Sequence, residues 1–323
     1  MKRHIFSSLL CAALLLTACG GQTAHQTSGG LSSSLPTAAG VETIAFTDDL
    51  GQEFNLEQPE RVVVMIGSFA DVWVLAGGAP QLAATANDAW ESYGLELGET
   101  ANIGSPMKPN AELVLAAEPE LIIASSLSPS NLELQETFQR SGIPAAYFDV
   151  SSFQDYLDLL ELFTQLTGHP ENFETYGTQV KVQVDEAVSR RAVYSFSPTV
   201  LTLQVSGSSV KVKNSEDNVL GPMLKELGCI NIADQDGARL EELSLEAILQ
   251  ANPDYIFAVY HGTDEAAAQA NLEDTLLSNP AWSSLQAVQG GRFHLLDRRM
   301  FSLKPNALWG DSYEKLSDIL CGE

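Results

Sequence analysis

Two segments of the chain repeat one pattern and place a carboxylate at the same position of each copy. The segments read NAELVLAAEPELII from Asn110 and SLEAILQANPDYIF from Ser244. In both, a capping residue precedes a short helical stretch whose second residue is glutamate, Glu112 in one copy and Glu246 in the other. A carboxylate at a helix N-terminus is stabilised by the partial positive charge there. A single such glutamate would indicate only a helix start, whereas the matched pair predicts two outward-facing acidic contact points.

Buried-strand patterns alternate with helical spacing on both sides of these segments. The patterns are RVVVMIGS (61–68), PELIIAS (119–125), PAAYFDV (144–150), PTVLTLQVSG (198–207), PDYIFAVY (253–260) and RFHLLD (292–297). Strands that alternate with helices are typical of parallel α/β organisation. Because the plan recurs, we expect two similar α/β lobes, one over residues 41–151 and one over 194–323.

Between the lobes, residues 152–193 have the pattern of a helical connector. An apolar face runs from Phe153 to Leu166 and is stopped by Gly168 and Pro170. A second apolar face runs from about Glu171 to Arg191 and predicts one long helix. Such a helix is a stiff connection, so we expect only a small closing motion of the lobes.

Composition excludes several classes of partner. The chain has 323 residues, of which 45% are hydrophobic, a length and composition suited to roughly two domains. Its 42 acidic residues against 17 basic ones give a net charge of -25, which disfavours binding to nucleic acid or to an anionic membrane surface. We therefore expect no nucleic-acid partner, and we expect a monomer.

The N-terminus resembles a bacterial lipoprotein signal. Lys2 and Arg3 precede an apolar run that is too short to span a bilayer as a mature helix, and the run ends in the lipobox-like LTACG around Cys19. The resemblance implies cleavage after residue 18 and a lipid on the Cys19 sulfur, which would anchor the protein on the extracytoplasmic face of the cell membrane. The alternative is an ordinary secretory signal. Residues 19–40 are rich in Gly, Ser and Thr and predict a flexible tether.

Cysteine and motif content argue against catalysis and against a free-metal site. After Cys19 only Cys229 and Cys321 remain, and whether they form a disulfide stays open. Serine-hydrolase, zinc-protease and nucleotide-binding signatures are missing from the sequence, so we expect no enzymatic activity. The remaining histidines are too scattered along the chain to form a metal cluster with carboxylates.

Taken together, the ordered motifs resemble those of the ABC-transporter substrate-binding proteins of the helical-backbone, iron-complex class. The resemblance rests on PERVV, the two repeated segments, LGCINIA and NPAWSSLQAVQGGRFHLLD, and it covers nearly all of residues 41–323. It implies a ligand cleft between the lobes and a cargo of haem, ferric siderophore or cobamide. It also implies that Glu112 and Glu246 receive arginines from the two permease subunits of an importer driven by its ATPase.

Within that class the chain is most similar to Gram-positive haem-receptor lipoproteins. In those proteins a Met and a His bind the haem iron from opposite lobes, and the matching positions here are Met107 in IGSPMKPN and His261 in VYHGTDEAAAQA. A thioether and an imidazole are known axial haem ligands. The resemblance therefore implies haem as the transported ligand, with a siderophore or a cobamide as the alternative.

Haem carries propionates, which require cations. The candidates near the expected cleft edge are Lys108, Arg298, Arg299, Lys304, Lys211 and Lys213. Tyrosine could replace the thioether or the imidazole at the iron, and the candidates are Tyr93, Tyr147 and Tyr260. Apolar lining could come from Phe69, Trp90, Phe301 and Trp309.

Overall fold

A computed structural model describes residues 43–234 and 245–322. Its strands are β1 Ile44–Thr47, β2 Glu53–Leu56, β3 Val62–Val64, β4 Leu82–Thr85, β5 Ala101–Asn102, β6 Gly104–Ser105, β7 Lys108–Pro109, β8 Leu121–Ser125, β9 Ala145–Phe148, β10 Thr199–Val205, β11 Val210–Lys213, β12 Ile230–Asn231, β13 Tyr255–Tyr260 and β14 Phe293–Leu296. Its α-helices are α1 Gly67–Leu75, α2 Asp88–Glu91, α3 Ala111–Ala116, α4 Pro129–Leu132, α5 Gln135–Ser141, α6 Phe153–Thr167, α7 Gln179–Ala192, α8 Leu220–Glu226, α9 Leu245–Ala251, α10 Glu265–Leu272, α11 Gln286–Gln289, α12 Arg298–Phe301 and α13 Trp309–Cys321.

The first lobe is built on a parallel five-stranded sheet in the order β5-β4-β3-β8-β9. Strands β3 and β8 lie at its centre, and every residue of both is buried. A parallel sheet covered on both faces requires such continuous apolar runs, which explains why the runs in the sequence predict these strands. In the hairpin of β1 and β2, Phe46 stacks on Phe54 and also on Phe148 of β9.

The second lobe repeats this plan with an antiparallel edge. Strand β10 pairs in parallel with β12 and with β13, and β13 pairs in parallel with β14. Strand β11 lies beside β10 in the opposite direction, as its hairpin partner. The two-lobe α/β architecture expected from the sequence is therefore confirmed. The domain boundaries proposed above stay predictions.

The connector begins with α6, which has a capping box between Ser152 and Asp155 and ends at Gly168 in the left-handed conformation. Helical structure then runs from residue 172 to residue 192, with a π-helical turn over Glu174–Thr178 before α7. Helix α7 packs along the C-terminal helix α13. A single apolar core extends from the first sheet through α6 and α7 to α13 and part of the second sheet.

One glycine at the carboxyl end of β3 is required by a close approach. The Gly67 amide donates to both carboxylate oxygens of Asp88 at 2.9 Å, which joins the starts of α1 and α2. A Cβ at Gly67 would lie 2.5 Å from the Ala89 backbone nitrogen. Only glycine allows that contact.

Among residues 43–234 and 245–322, we find no helix with the length and apolar content to cross a bilayer.

Candidate functional site

The carboxyl ends of the parallel strands position the candidate ligand residues. In open α/β sheets, ligands bind at this edge because the loops that leave the strands converge there. His261 follows β13 directly, and its backbone amide donates to the Val205 carbonyl at the end of β10 at 2.7 Å. The histidine is therefore fixed at the ligand edge of the second lobe by the ladder between two central strands.

Two side chains contact the imidazole of His261, both at the ring nitrogen Nδ1. Nδ1 lies 3.2 Å from Gln204 Nε2 and 3.4 Å from Ser302 Oγ. When Nδ1 carries the proton and donates to Ser302 Oγ, the lone pair of Nε2 is available to a ligand, and the Gln204 amide must then turn its oxygen towards the ring. A second partner that fixes ring orientation and tautomer is the usual arrangement for a ligating histidine.

Burial and nearby positive charges favour the neutral form of this imidazole. Burial, followed by the positive charges of Arg298, Lys213 and Lys211, lowers the pKa of His261 below its usual value of 6.5. A neutral imidazole is the form that binds iron.

The same three cations are notable because they lack carboxylate partners. Across the part of the chain that the structure describes, none of them forms an ion pair, whereas five other Lys or Arg side chains do so. Arg298 reaches only Ser92 Oγ, at 3.4 Å, and its buried Nε has no hydrogen-bond partner. In a protein with a net charge of -25, three unpaired cations around one histidine form a site suited to an anion.

A small cavity lies beside this group in the second lobe. Its volume is about 150 Å³, and its walls include Gln204 and Ser302, the two side chains that hold His261. Lys213 and Asp217 contribute the charged part of the wall, and Phe301 contributes an apolar part.

Met107 lies at the tip of a two-stranded hairpin in the first lobe. Strands β6 and β7 form this hairpin, which follows β5, and the Met107 side chain is 81% exposed. Ser130 Oγ donates to the Pro106 carbonyl at 2.6 Å, which ties the turn to α4. Leu127, which follows the carboxyl end of β8, is 55% exposed. The hairpin therefore presents a thioether to solvent.

Two other predicted cleft residues flank these positions. Lys108, beside Met107, is exposed on the hairpin. Tyr260 is half-buried at the end of β13, and burial, with a smaller contribution from the Glu265 charge, raises the pKa of its phenol. A raised pKa opposes formation of the tyrosinate that would bind ferric iron.

Arg299, one of the predicted propionate ligands, is instead bound to the first lobe. Its Nη2 donates to Asp71 of α1 at 2.7 Å, and its guanidinium lies 4.4 Å from the ring centroid of Tyr93. Its Nη1 donates to the carbonyls of Lys304 and Pro305. The side chain thus joins the two lobes.

Lys304 is also hydrogen-bonded within the protein. Its ammonium donates to the Val150 carbonyl, and burial lowers its pKa. A role for Arg299 or Lys304 at the ligand stays a prediction, and it would require these bonds to break.

The remaining aromatic candidates lie mainly in the core. Phe69, Phe301 and Trp309 are buried, and Trp90 is half-buried. Burial raises the pKa of Tyr93 and raises that of Tyr147 to about 12, so neither phenol ionises readily.

Both repeated glutamates are exposed near the starts of their helices, Glu112 in α3 and Glu246 in α9. The Asn110 side chain accepts from the Glu112 amide at 2.9 Å, which confirms the expected N-cap. Ser244, the corresponding residue of the second copy, and the predicted lipidation site Cys19 lie outside the described residues. Cys229 and Cys321 are free thiols.

The family model described as "Periplasmic binding protein" matches residues 62–300. The chain belongs to this family. Its members are solute-binding proteins, which confirms the expectation that the chain is not an enzyme.

Two curated relatives illustrate the range of cargo in this family. The iron-uptake system-binding protein of Bacillus subtilis is 23% identical over 316 residues, which cover 95% of this chain and 93% of that protein. The vitamin B12-binding protein of Pectobacterium atrosepticum is 24% identical over 201 residues, covering 61% and 71%.

Three solved structures share the fold. The haem-binding protein RhuT of Roseiflexus, in apo form, has a TM-score of 0.64 and 22% identity, over 81% of this chain and 97% of RhuT. Staphylococcus aureus SirA, complexed with staphyloferrin B, has a TM-score of 0.66 and 22% identity, over 87% and 98%. An ABC transporter substrate-binding protein from Listeria monocytogenes has a TM-score of 0.63 and 18% identity, over 82% and 100%. The family match and the iron-uptake relative confirm the resemblance to iron-complex binding proteins of ABC importers. The solved neighbours share the fold, which has two lobes with a cleft between them.

Sequence reasoning missed Gln204 and Ser302, the two side chains that hold His261. Gln204 is a half-buried residue near the end of a mostly buried strand, and its long polar side chain in that run is the signal that could have indicated it. Ser302 follows the short helix α12, and no local pattern distinguishes it.

Proposed function

We propose that this protein is an extracytoplasmic, lipid-anchored binding protein that captures haem between its lobes and delivers it to the permease of an ABC importer. The observation that carries the proposal is the position of His261 at the carboxyl end of β13, with three cations nearby that form no ion pair in the described structure, Lys211, Lys213 and Arg298. Haem combines an iron that accepts an imidazole with two carboxylates that require positive charge. The family membership and the iron-uptake relative support the transport class.

In this proposal the iron is bound from both lobes. His261 contributes Nε2 from the second lobe, while the exposed Met107 thioether approaches the opposite face of the porphyrin from the first. The propionates point towards Lys211, Lys213 and Arg298, because Arg299 and Lys304 are engaged between the lobes. Ligation from both lobes would couple haem capture to their relative position, so the docked permease could release haem by separating them.

Delivery would use the two repeated glutamates. Glu112 and Glu246 are exposed, one on each lobe, and each would receive arginines from one permease subunit. A lipid on Cys19 and the following tether would hold the protein close to the permease.

A carboxylate-bearing ferric siderophore is the second candidate, because the same three cations suit it. The SirA complex with staphyloferrin B shows that this fold accepts a siderophore.

The proposal is tested by competition for the cleft. The purified protein is titrated separately with haemin, ferric staphyloferrin B and cobalamin, with binding followed by tryptophan fluorescence and by the absorption of the iron or cobalt complex. We expect haemin to bind in a one-to-one complex that an excess of the other two does not displace. Tight binding of the siderophore without haemin binding would overturn the haem assignment and leave the transport class intact.

A further inference from the structure

The cavity beside His261 has the properties of a subsite for part of a larger ligand. A volume of about 150 Å³ holds several waters or a short side arm and is far too small for a porphyrin. Gln204 and Ser302 are shared between the cavity wall and the hydrogen bonds to His261. The cavity therefore lies beside the imidazole, on the side of its Nδ1.

The charged wall of the cavity favours an anionic group. Lys213 and Asp217 both line it, but no ion pair joins them in the described structure, so the ammonium remains available. The Lys213 backbone is fixed from two sides, since its carbonyl accepts from Thr202 Oγ1 and from Asn231 Nδ2. The Asp217 side chain is exposed and solvated, which screens its repulsion of an anion.

We infer that this cavity is the carboxylate subsite of the cleft, with Lys213 as the residue that binds a carboxylate arm of the ligand whose iron His261 holds. The inference rests on the proposed function and adds an orientation to it: one arm of the iron complex enters the second lobe, and the remaining arms lie towards Lys211 and Arg298. The arm can be a haem propionate or a siderophore carboxylate, because the chemistry of recognition is the same.

The test compares a ligand with and without its carboxylates. Haemin and haemin dimethyl ester are titrated into the wild type, Lys213→Gln and Lys213→Arg, with ferric citrate as a non-porphyrin probe. Lys315→Gln on α13 is the matched control, because Lys315 is exposed and is not ion-paired within the described residues. A charge-assisted hydrogen bond contributes enough that its loss should weaken haemin binding roughly tenfold to a hundredfold.

We expect Lys213→Gln to weaken haemin binding by that factor, to leave the diester unaffected, and to be rescued by Lys213→Arg. If Lys213→Gln affected haemin and the diester equally, or affected neither, the subsite would be overturned. The proposed function would still stand as long as the wild type bound haemin. If the wild type bound ferric citrate and not haemin, a loss of citrate binding in Lys213→Gln would support the subsite and refute the haem cargo. Binding of neither probe by the wild type would overturn both.

Discussion

The Asp71 and Arg299 pair makes the sharpest structural prediction, because it decides between a ligand role and an interlobe role for Arg299. Both side chains are mostly buried, with 11% of Asp71 and 25% of Arg299 exposed. Asp71 also accepts from Asn306 Nδ2 at 2.8 Å, and Asn306 in turn donates to the Ser68 carbonyl. Removal of the carboxylate should therefore loosen the junction between α1 and the segment that follows α12.

The magnitude follows from the balance of burial and pairing. Burial is the largest influence on Asp71 and raises its pKa, although Asn306 and Arg299 act in the opposite direction. Because the folded protein holds this proton more tightly than the unfolded chain does, ionisation lowers stability as pH rises from 3.8 through the raised pKa. Asp71→Asn removes that cost but leaves a buried guanidinium without its anion, so we expect a net loss of only about 1–2 kcal/mol at pH 7.

A double-mutant cycle isolates the interaction itself. Asp71→Asn, Arg299→Met and the double variant are unfolded in urea at pH 7, and we expect a coupling free energy of about 1–3 kcal/mol. Haemin affinity should stay within about twofold of the wild type in all three. Arg190→Met is the matched control, since its partner Asp318 is 46% exposed and the pair should contribute little. Zero coupling with a tenfold loss of haemin affinity in Arg299→Met would refute the interlobe role.

Three further predictions follow from the exposed glutamates, the imidazole and a buried thiol. Charge reversal at Glu112 or Glu246 should impair haem uptake by cells without changing haemin affinity. The control Glu161→Lys, on an exposed face of α6, should change neither uptake nor affinity. Normal uptake by the doubly reversed protein would refute the docking role. Haemin affinity should hold as pH falls through 6.5 and decline only below it, because His261 binds iron as the neutral ring and its pKa is lowered; a decline centred above 6.5 in a pH series would contradict this. Cys229 should resist maleimide until the protein is unfolded, since burial raises its pKa to about 12; mass-spectrometric detection of rapid native labelling at this residue would contradict that placement.

The sequence predicts the central strands well because burial on both faces requires continuous apolar runs. The runs around Val62, Leu121 and Tyr255 all form strands, and the helix stopped by Gly168 ends there. Short polar strands are less visible. The hairpin strand Val210–Lys213 alternates buried and exposed residues over only four positions, which is too little to distinguish it from a loop.

The site is only partly predictable for a related reason. His261 is detectable because it directly follows a strand, and the position alone predicts the ligand edge. The engagement of Arg299 with Asp71 joins residues 228 positions apart in the sequence, so no local pattern reports it. From its charge, the sequence therefore predicts Arg299 as a ligand cation, whereas tertiary packing gives it a partner in the other lobe.

The most direct test of the central proposal is the absorption spectrum of the haem complex in ligand variants. Haemin is titrated into the wild type, Met107→Ala, His261→Ala and the double variant, with His169→Ala as a control because that exposed histidine bonds only Glu171 among the described side chains. We predict a six-coordinate spectrum in the wild type and the control, an altered ligand field in each single variant, and weak binding in the double variant. Unchanged spectra in both Met107→Ala and His261→Ala would contradict ligation by these two residues.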